Sequence, residues 1–217
     1  MTSRRAVFPR EPLSFLVNQC SSKKLSRSFY LRPTLTVAKE LLGKYLIRKI
    51  GTQTLAAKIV EVEAYLGNND PASHAYRGRT ERNAVMFRKG GHLYVYFTYG
   101  MHFCANIVTE DEGKGRAVLI RAVEPLEGID VMIKNRELKP TGNGISNATN
   151  GPAKFCEALN LKREQNGTDL LGREIYLTQG NSIPESQVVS ATRIGIKNGT
   201  EKKWRFYIRN NSFVSRP

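Results

Sequence analysis

Apolar and polar residues alternate along this chain with a period that changes from segment to segment, and the changes mark the predicted elements. Between Thr36 and Leu42 the period is helical: Val37, Leu41 and Leu42 share a face, Thr36 is placed to cap the start and Gly43 to end it. The period then shortens to two. Tyr45–Ile50 and Leu55–Tyr65 read as strands joined by a turn at Gly51. In the second of these, Val60, Val62 and Ala64 point one way and Glu61, Glu63 and Tyr65 the other, which predicts one packed and one open face.

Gly67 to Met86 breaks the alternation with Asn68-Asn69-Asp70-Pro71, Arg77-Gly78-Arg79 and Arg82-Asn83, and reads as a long ordered loop. After Gly90-Gly91 the alternation returns as a tyrosine-rich hairpin from Leu93 to Asn106, with its apex near Tyr99-Gly100. Further on, the pattern predicts a strand at Val118–Val123 and a helix over Leu126–Leu138 with Ile129, Met132 and Ile133 inward. A mobile polar loop is expected at Lys139–Gly151, then a helix opened by Pro152 and running through Leu159. Strands are expected at Glu174–Leu177, Arg193–Ile196 and Trp204–Ile208. The strands cluster in hairpins and do not alternate with helices. That predicts a single α+β domain: a curved, mainly antiparallel sheet flanked by helices, with a protruding hairpin.

Charge changes this picture most. The chain has 217 residues and a formal charge of +15. Residues 1–28 hold six cations against one acid, so they read as a basic, flexible leader, and residues 29–217 as the folded domain, itself strongly basic. A basic folded body points to a polyanionic partner, and nucleic acid is the commonest. Cys20, Cys104 and Cys156 are odd in number, widely spaced and without a C-x-x-C pair, which predicts buried thiols in a reducing compartment and excludes a four-cysteine cluster. His74, His92 and His102 have no metal-ligand spacing, so no metal is expected. No apolar run reaches the ~20 residues of a membrane span. The expected location is intracellular, with the nucleic acid, and the leader leaves organelle targeting open.

Within this cationic chain, Glu61 and Glu63 stand among aromatics. A carboxylate weakens phosphate binding, so one kept in a nucleic-acid-facing aromatic site suggests chemistry. An ionised Glu63 can deprotonate a water or stabilise positive charge on a sugar. The pattern alone equally allows a surface glutamate paired with a cation. Tyr94 and Tyr96 share a strand face, whereas Tyr99 falls at the tip beside Gly100, where it can wedge between bases or serve as an ordinary sheet aromatic. His74 matters only if its loop folds over Tyr65 and Tyr96.

An ordered set of segments then narrows the reading. These are Ile59-Val60-Glu61-Val62-Glu63-Ala64-Tyr65-Leu66-Gly67, Ala72-Ser73-His74, Arg82-Asn83, Met86-Phe87 and the hairpin from Leu93 to Asn106. They continue with Leu119 to Gly128, Gly151-Pro152-Ala153-Lys154, Arg193-Ile194-Gly195-Ile196 and Trp204-Arg205-Phe206-Tyr207. The set resembles the alkyladenine (3-methyladenine, or methylpurine) DNA glycosylase family over roughly Leu31 to Arg216. The resemblance implies a monofunctional, cofactor-free and monomeric repair enzyme acting on double-stranded DNA that contains damaged purines. It would flip an alkylated purine, with deaminated and etheno purines as further substrates, out of the duplex and hydrolyse its N-glycosidic bond. By residue matching, Glu63 would activate the water, with Arg121 and the Ile194 carbonyl helping to hold it. Tyr65 and His74 would stack on one face of the base and Tyr96 on the other. Asn106 would line the pocket floor, Tyr99 would fill the gap in the duplex, and Arg79 and Lys154 would contact phosphates. The match assigns Glu61 no chemical role. His102 stands where some relatives carry an aromatic. A binder that flips bases without cutting, and an RNA-binding module, are the competing readings.

Overall fold

The computed structural model describes residues 23–139 and 142–216. Eight strands form one open sheet: β1 (Tyr45–Ile50), β2 (Gln53–Leu66), β3 (Leu93–Thr98), β4 (His102–Thr109), β5 (Arg116–Glu127), β6 (Ile175–Thr178), β7 (Val188–Ala191) and β8 (Arg205–Ile208). Their order is β3-β4-β5-β2-β1-β6, with β8 pairing both β2 and β7. Every strand pairing is antiparallel. Among the described residues, five helices accompany the sheet: α1 (Arg27–Tyr30), α2 (Thr34–Leu41), α3 (Ile129–Asn135), α4 (Gly142–Ala148) and α5 (Pro152–Ala158). This is the α+β architecture that the hairpin pattern predicts.

β2 organises the sheet. It outruns β1, which pairs only with Gln53–Lys58, and β8 takes over that edge at Glu61–Glu63 while β5 follows the other edge to Leu66. Helix α2 packs on β2 and β5, and α5 on β4 and β5. Val37, Leu41, Val60, Val62, Ala64, Ile120 and Phe155 are buried in the main core. A smaller cluster of Ala75, Val85, Met86, Tyr94, Val108 and Ala117 lies beneath the loop after β2.

Several expectations need correction. Both faces of β2 are covered near its end, so Glu61 and Glu63 are 0% exposed and no face is open. Helix α2 starts at Thr34, behind Pro33, and Thr36 is interior. β5 extends to Glu127, and the helix predicted from Leu126 begins only at Ile129, after Gly128 at positive φ. A helix, α4, occupies part of the segment expected to be a mobile loop; residues 140 and 141 lie outside the described residues. Arg193–Ile196 is not a strand: the strand is Val188–Ala191, and beyond it the chain bends at Ile194 and Gly195. Of the leader, residues 1–22, Cys20 included, lie outside the described residues, whereas Leu25 is buried and Arg27 pairs with Asp169.

Candidate active site

A pocket of about 420 Å³ opens where the end of β2, the β3–β4 hairpin, the loop after β2 and the segment after β7 converge. Tyr65, His74, Tyr96, Asn106, Arg121, Ile194 and Tyr99 all line it, so the fold brings together every base-pocket residue expected from the sequence. Glu63 lies behind this wall, buried, beside Tyr65 and Arg121. Of the two phosphate candidates, Arg79 is exposed on the loop, and Lys154 in α5 is half-buried and donates to Asn150.

Two hydrogen bonds and an ion pair fix the Glu63 carboxylate. Its Oε1 accepts the Ile194 N–H at 2.8 Å and lies 3.2 Å from the Arg121 guanidinium. Its Oε2 accepts the Tyr65 hydroxyl at 2.8 Å. Burial raises the carboxyl above its ordinary range, against the pull of Arg121, the Ile194 N–H and the Tyr65 hydroxyl; Glu61 adds to the rise. The expectation for Ile194 concerned its carbonyl, and the contact with the carboxylate is made by its N–H.

The segment carrying Ile194 is anchored one residue earlier. Arg193 and Asp70 form a buried two-armed ion pair, with Arg193 Nη2 to Asp70 Oδ1 at 2.7 Å. Arg193 also donates to the Ala64 carbonyl at 3.0 Å and lies over the rings of Tyr65 and Trp204. Asp70 accepts the backbone N–H groups of Leu66 and Ala72, so a single carboxylate ties the loop to the wall that holds Glu63. Gly67 opens this loop at φ +61°, and a Cβ there would come within 2.6 Å of the Lys114 carbonyl oxygen. Further along, the buried Asn83 amide donates to the carbonyls of His74 and Gly78. Sequence reasoning assigned no role to Asp70 or Arg193. A motif arginine and an early loop aspartate were visible, but nothing in their 123-residue separation announced a pair.

The aromatic wall is preassembled. Tyr94 and Tyr96 stack with centroids 5.4 Å apart, and His74 meets Tyr96 edge-on at 4.5 Å. His74 Nδ1 lies 3.1 Å from the Tyr94 hydroxyl. Although His74 is exposed overall, desolvation among these rings and the charge of Arg82 lower its pKa and favour the neutral imidazole. Burial pushes the Tyr94 phenol up to about 12 and that of Tyr96 higher still, so both rings stay neutral. Cys104 also lines the pocket, and burial raises its thiol pKa. Asn106 donates to the Tyr94 carbonyl at 3.2 Å, which fixes the amide in the pocket. Among the described residues, no group of three or more His, Cys, Asp or Glu is placed to hold a metal ion.

At the hairpin tip, Tyr99 is 84% exposed and Met101 69%. Tyr99 and Gly100 both have positive φ, and the Met101 N–H reaches back to the Thr98 carbonyl, as in a type I′ turn. Glycine adopts this conformation freely, whereas a tyrosine there is strained.

The profile of the methylpurine-DNA glycosylases matches residues 28–212. This chain belongs to the methylpurine-DNA glycosylase family. Similar proteins occur in Carboxydothermus hydrogenoformans (50% identical, covering 88% of this chain and 98% of the relative) and Clostridium acetobutylicum (48%, covering 88% and 97%). Another, from Prosthecochloris aestuarii, is 47% identical over 89% of this chain and 91% of its own. All three bear names that provisionally describe them as 3-methyladenine DNA glycosylases. Membership makes the chain a monofunctional DNA glycosylase of the methylpurine type, a repair hydrolase of N-glycosyl bonds whose substrate is DNA. Among the described residues, no helix is long and apolar enough to cross a membrane.

Proposed function

We propose that this glycosylase flips a damaged purine out of duplex DNA into the 420 Å³ pocket and hydrolyses its glycosidic bond with a water activated by Glu63. The observation that carries the reading is a fully buried carboxylate fixed by two hydrogen bonds and an ion pair against the wall of an aromatic pocket. Oε1 already serves Ile194 and Arg121, whereas Oε2 receives one hydroxyl and keeps a lone pair for the water. The water proton passes to Glu63 as its oxygen bonds to C1′. The C1′–N9 bond breaks with its electron pair going to the purine, and the products are an abasic site and a free base. The raised pKa of Glu63 makes it a stronger base than an exposed glutamate.

Alkylation at N3 or N7 leaves the purine cationic, and the electron-rich faces of Tyr65 and Tyr96 attract it. The same charge makes it a good leaving group. Deaminated and etheno purines are neutral and depend more on the base and on stacking, worth about 1–3 kcal/mol per base. A base held between two rings needs about 7 Å, twice a van der Waals contact. His74 and Tyr96 stand closer than that, so the base enters beside His74 and against Tyr65, or displaces the imidazole. Tyr99 fills the gap that the base leaves in the stack, and Arg79 and Lys154 hold flanking phosphates.

The test is single-turnover base release from duplexes that each carry one lesion: 3-methyladenine, hypoxanthine or ethenoadenine. Glu63→Gln is expected to abolish release while binding to the lesion duplex persists. Release at the unmodified rate would remove Glu63 from the role of base.

A further inference from the structure

We infer that Glu61 is a positioning residue that sets the basicity of Glu63 by holding the other flank of a guanidinium the two carboxylates share. The inference rests on Glu63 as the base. Glu61 does not line the pocket. It is nevertheless fully buried, two residues before Glu63 on β2. Arg121 Nε lies 3.1 Å from Glu61 Oε1, and Arg121 Nη1 lies 3.2 Å from Glu63 Oε1. One cation is therefore shared by two acids on the same strand: it hydrogen-bonds Glu61 and forms only an ion pair with Glu63.

The backbone explains how Arg121 reaches both. The β2–β5 register shifts on either side of Glu61, and Arg121 falls out of the pairing between Ala122 and Ile120. Such irregularities re-aim a side chain. Glu61 is then saturated from elsewhere: Arg205 Nη1 reaches its Oε1 at 3.0 Å and the Ser215 N–H its Oε2 at 2.7 Å. Arg205 is itself fixed, through donations to the Thr192 and Arg216 carbonyls. The cluster thus holds two carboxylates against two guanidiniums.

This balance has a chemical consequence. With Glu61 in place, Arg121 gives Glu63 only part of its charge, through an ion pair without a hydrogen bond. Without Glu61, Arg121 is free to grip Glu63 with two parallel N–H groups, as guanidinium–carboxylate pairs prefer. That grip would weaken the base and occupy the oxygen that faces the water. Without Arg205, the negative charge of Glu61 is less compensated, and Glu63 holds its proton more tightly. The other titratable groups facing Glu63 are Tyr65 on β2 and Cys104 on β4, while Tyr96 on β3 and Arg193 after β7 face Tyr65. None of them contacts Glu61 in the way Arg121 and Arg205 do. Burial of the ion cluster is weak evidence for a stabilising purpose, since buried pairs seldom outperform packed apolar residues.

The experiment follows the pH dependence of single-turnover release from a hypoxanthine duplex. Glu61→Gln keeps the shape of the side chain and removes its charge. It is expected to move the acid limb down by about one pH unit. At neutral pH it is expected to slow release about tenfold, as a weaker base would, with the curves converging on the acid side. Arg205→Gln is expected to move the limb the other way, and the double variant, which restores charge balance, to return it toward the starting position. Lesion-duplex affinity should not change in Glu61→Gln. An acid limb that stays in place in both single variants, with only the melting temperature altered, would overturn the inference and leave Glu61 a structural residue. If Glu61→Gln does not fold, the direction of the limb in Arg205→Gln decides the question alone. Glu63→Gln, run alongside, separates the two ideas: continued release in that variant sinks the assignment of the base itself.

Discussion

Glu63 and Tyr99 occupy opposite extremes of the same sheet. The carboxylate is 0% exposed and is fixed by Ile194, Tyr65 and Arg121. The tyrosine is 84% exposed and sits in a backbone conformation that suits glycine. One region is over-determined by contacts within the protein. The other carries conformational strain with little packing in return, the observation that motivates the proposed contact with DNA. Chemistry needs an atom held still in a desolvated site, whereas opening a duplex needs a hard ring offered to the solvent. The β3–β4 hairpin spans both extremes: its inner residues Tyr94, Tyr96, Cys104 and Asn106 line the pocket, and its tip carries the exposed ring of Tyr99 for which the probing role is proposed.

The sharpest way to break this comparison is at the carboxylate. Glu63→Gln should lower single-turnover base release by about a thousandfold, the usual range for a general base, without loss of lesion binding. Tyr99→Ala should do the reverse. Affinity for a lesion duplex is expected to fall about tenfold in binding assays, from the lost stacking, with an unchanged melting temperature. If Tyr99→Ala instead lowers the melting temperature and spares affinity, the tip is part of the fold and the contrast fails. A smaller effect concerns stability. Because the pKa of folded Glu63 lies above that of the unfolded chain, its ionisation destabilises the fold as pH rises through that window. Glu63→Gln should therefore melt a few degrees higher than the unmodified protein at neutral pH, and the gap should close as the pH falls below the unfolded value near 4. The smallest expected effect is that of Tyr65→Phe, which keeps the ring for stacking and removes one donor from Oε2. The acid limb of release should rise by a few tenths of a pH unit, and the rate by only a factor of about three.

Much of this was legible in the residues. Alternation located β1, β2, the hairpin and β8, since a side-chain period of two survives in a single sequence wherever one face is buried. It misjudged the end of β2, because Glu61 and Glu63 mimic a solvent face. Polar residues buried with partners look the same, in one dimension, as polar residues left in water. Their partners Arg121, Arg205 and Ser215 come from distant segments, and only the fold supplies them. The pocket residues were visible through the ordered motifs. The roles of Asp70, Arg193 and Arg205 were not, because their work is to hold other residues and they leave no spacing signature of their own. Lys139–Gly151 reads as a loop from its glycines and asparagines, yet α4 forms there, where it packs against α3 and α5. Tertiary contact overrides weak propensity in so short a helix.

β2 pairs with β1, β5 and β8, and the part of it that carries Glu63 lies between two partners. Its amides therefore belong to the last unit of the molecule to exchange with deuterium, opening only when the whole domain opens. The hairpin apex, bounded by one short turn, exchanges through local fluctuations at far lower cost. Under rising denaturant the protein should lose its grip on lesions before it loses the geometry of its carboxylate, so the ability to find damage, not the ability to cut, sets the practical limit of its working range.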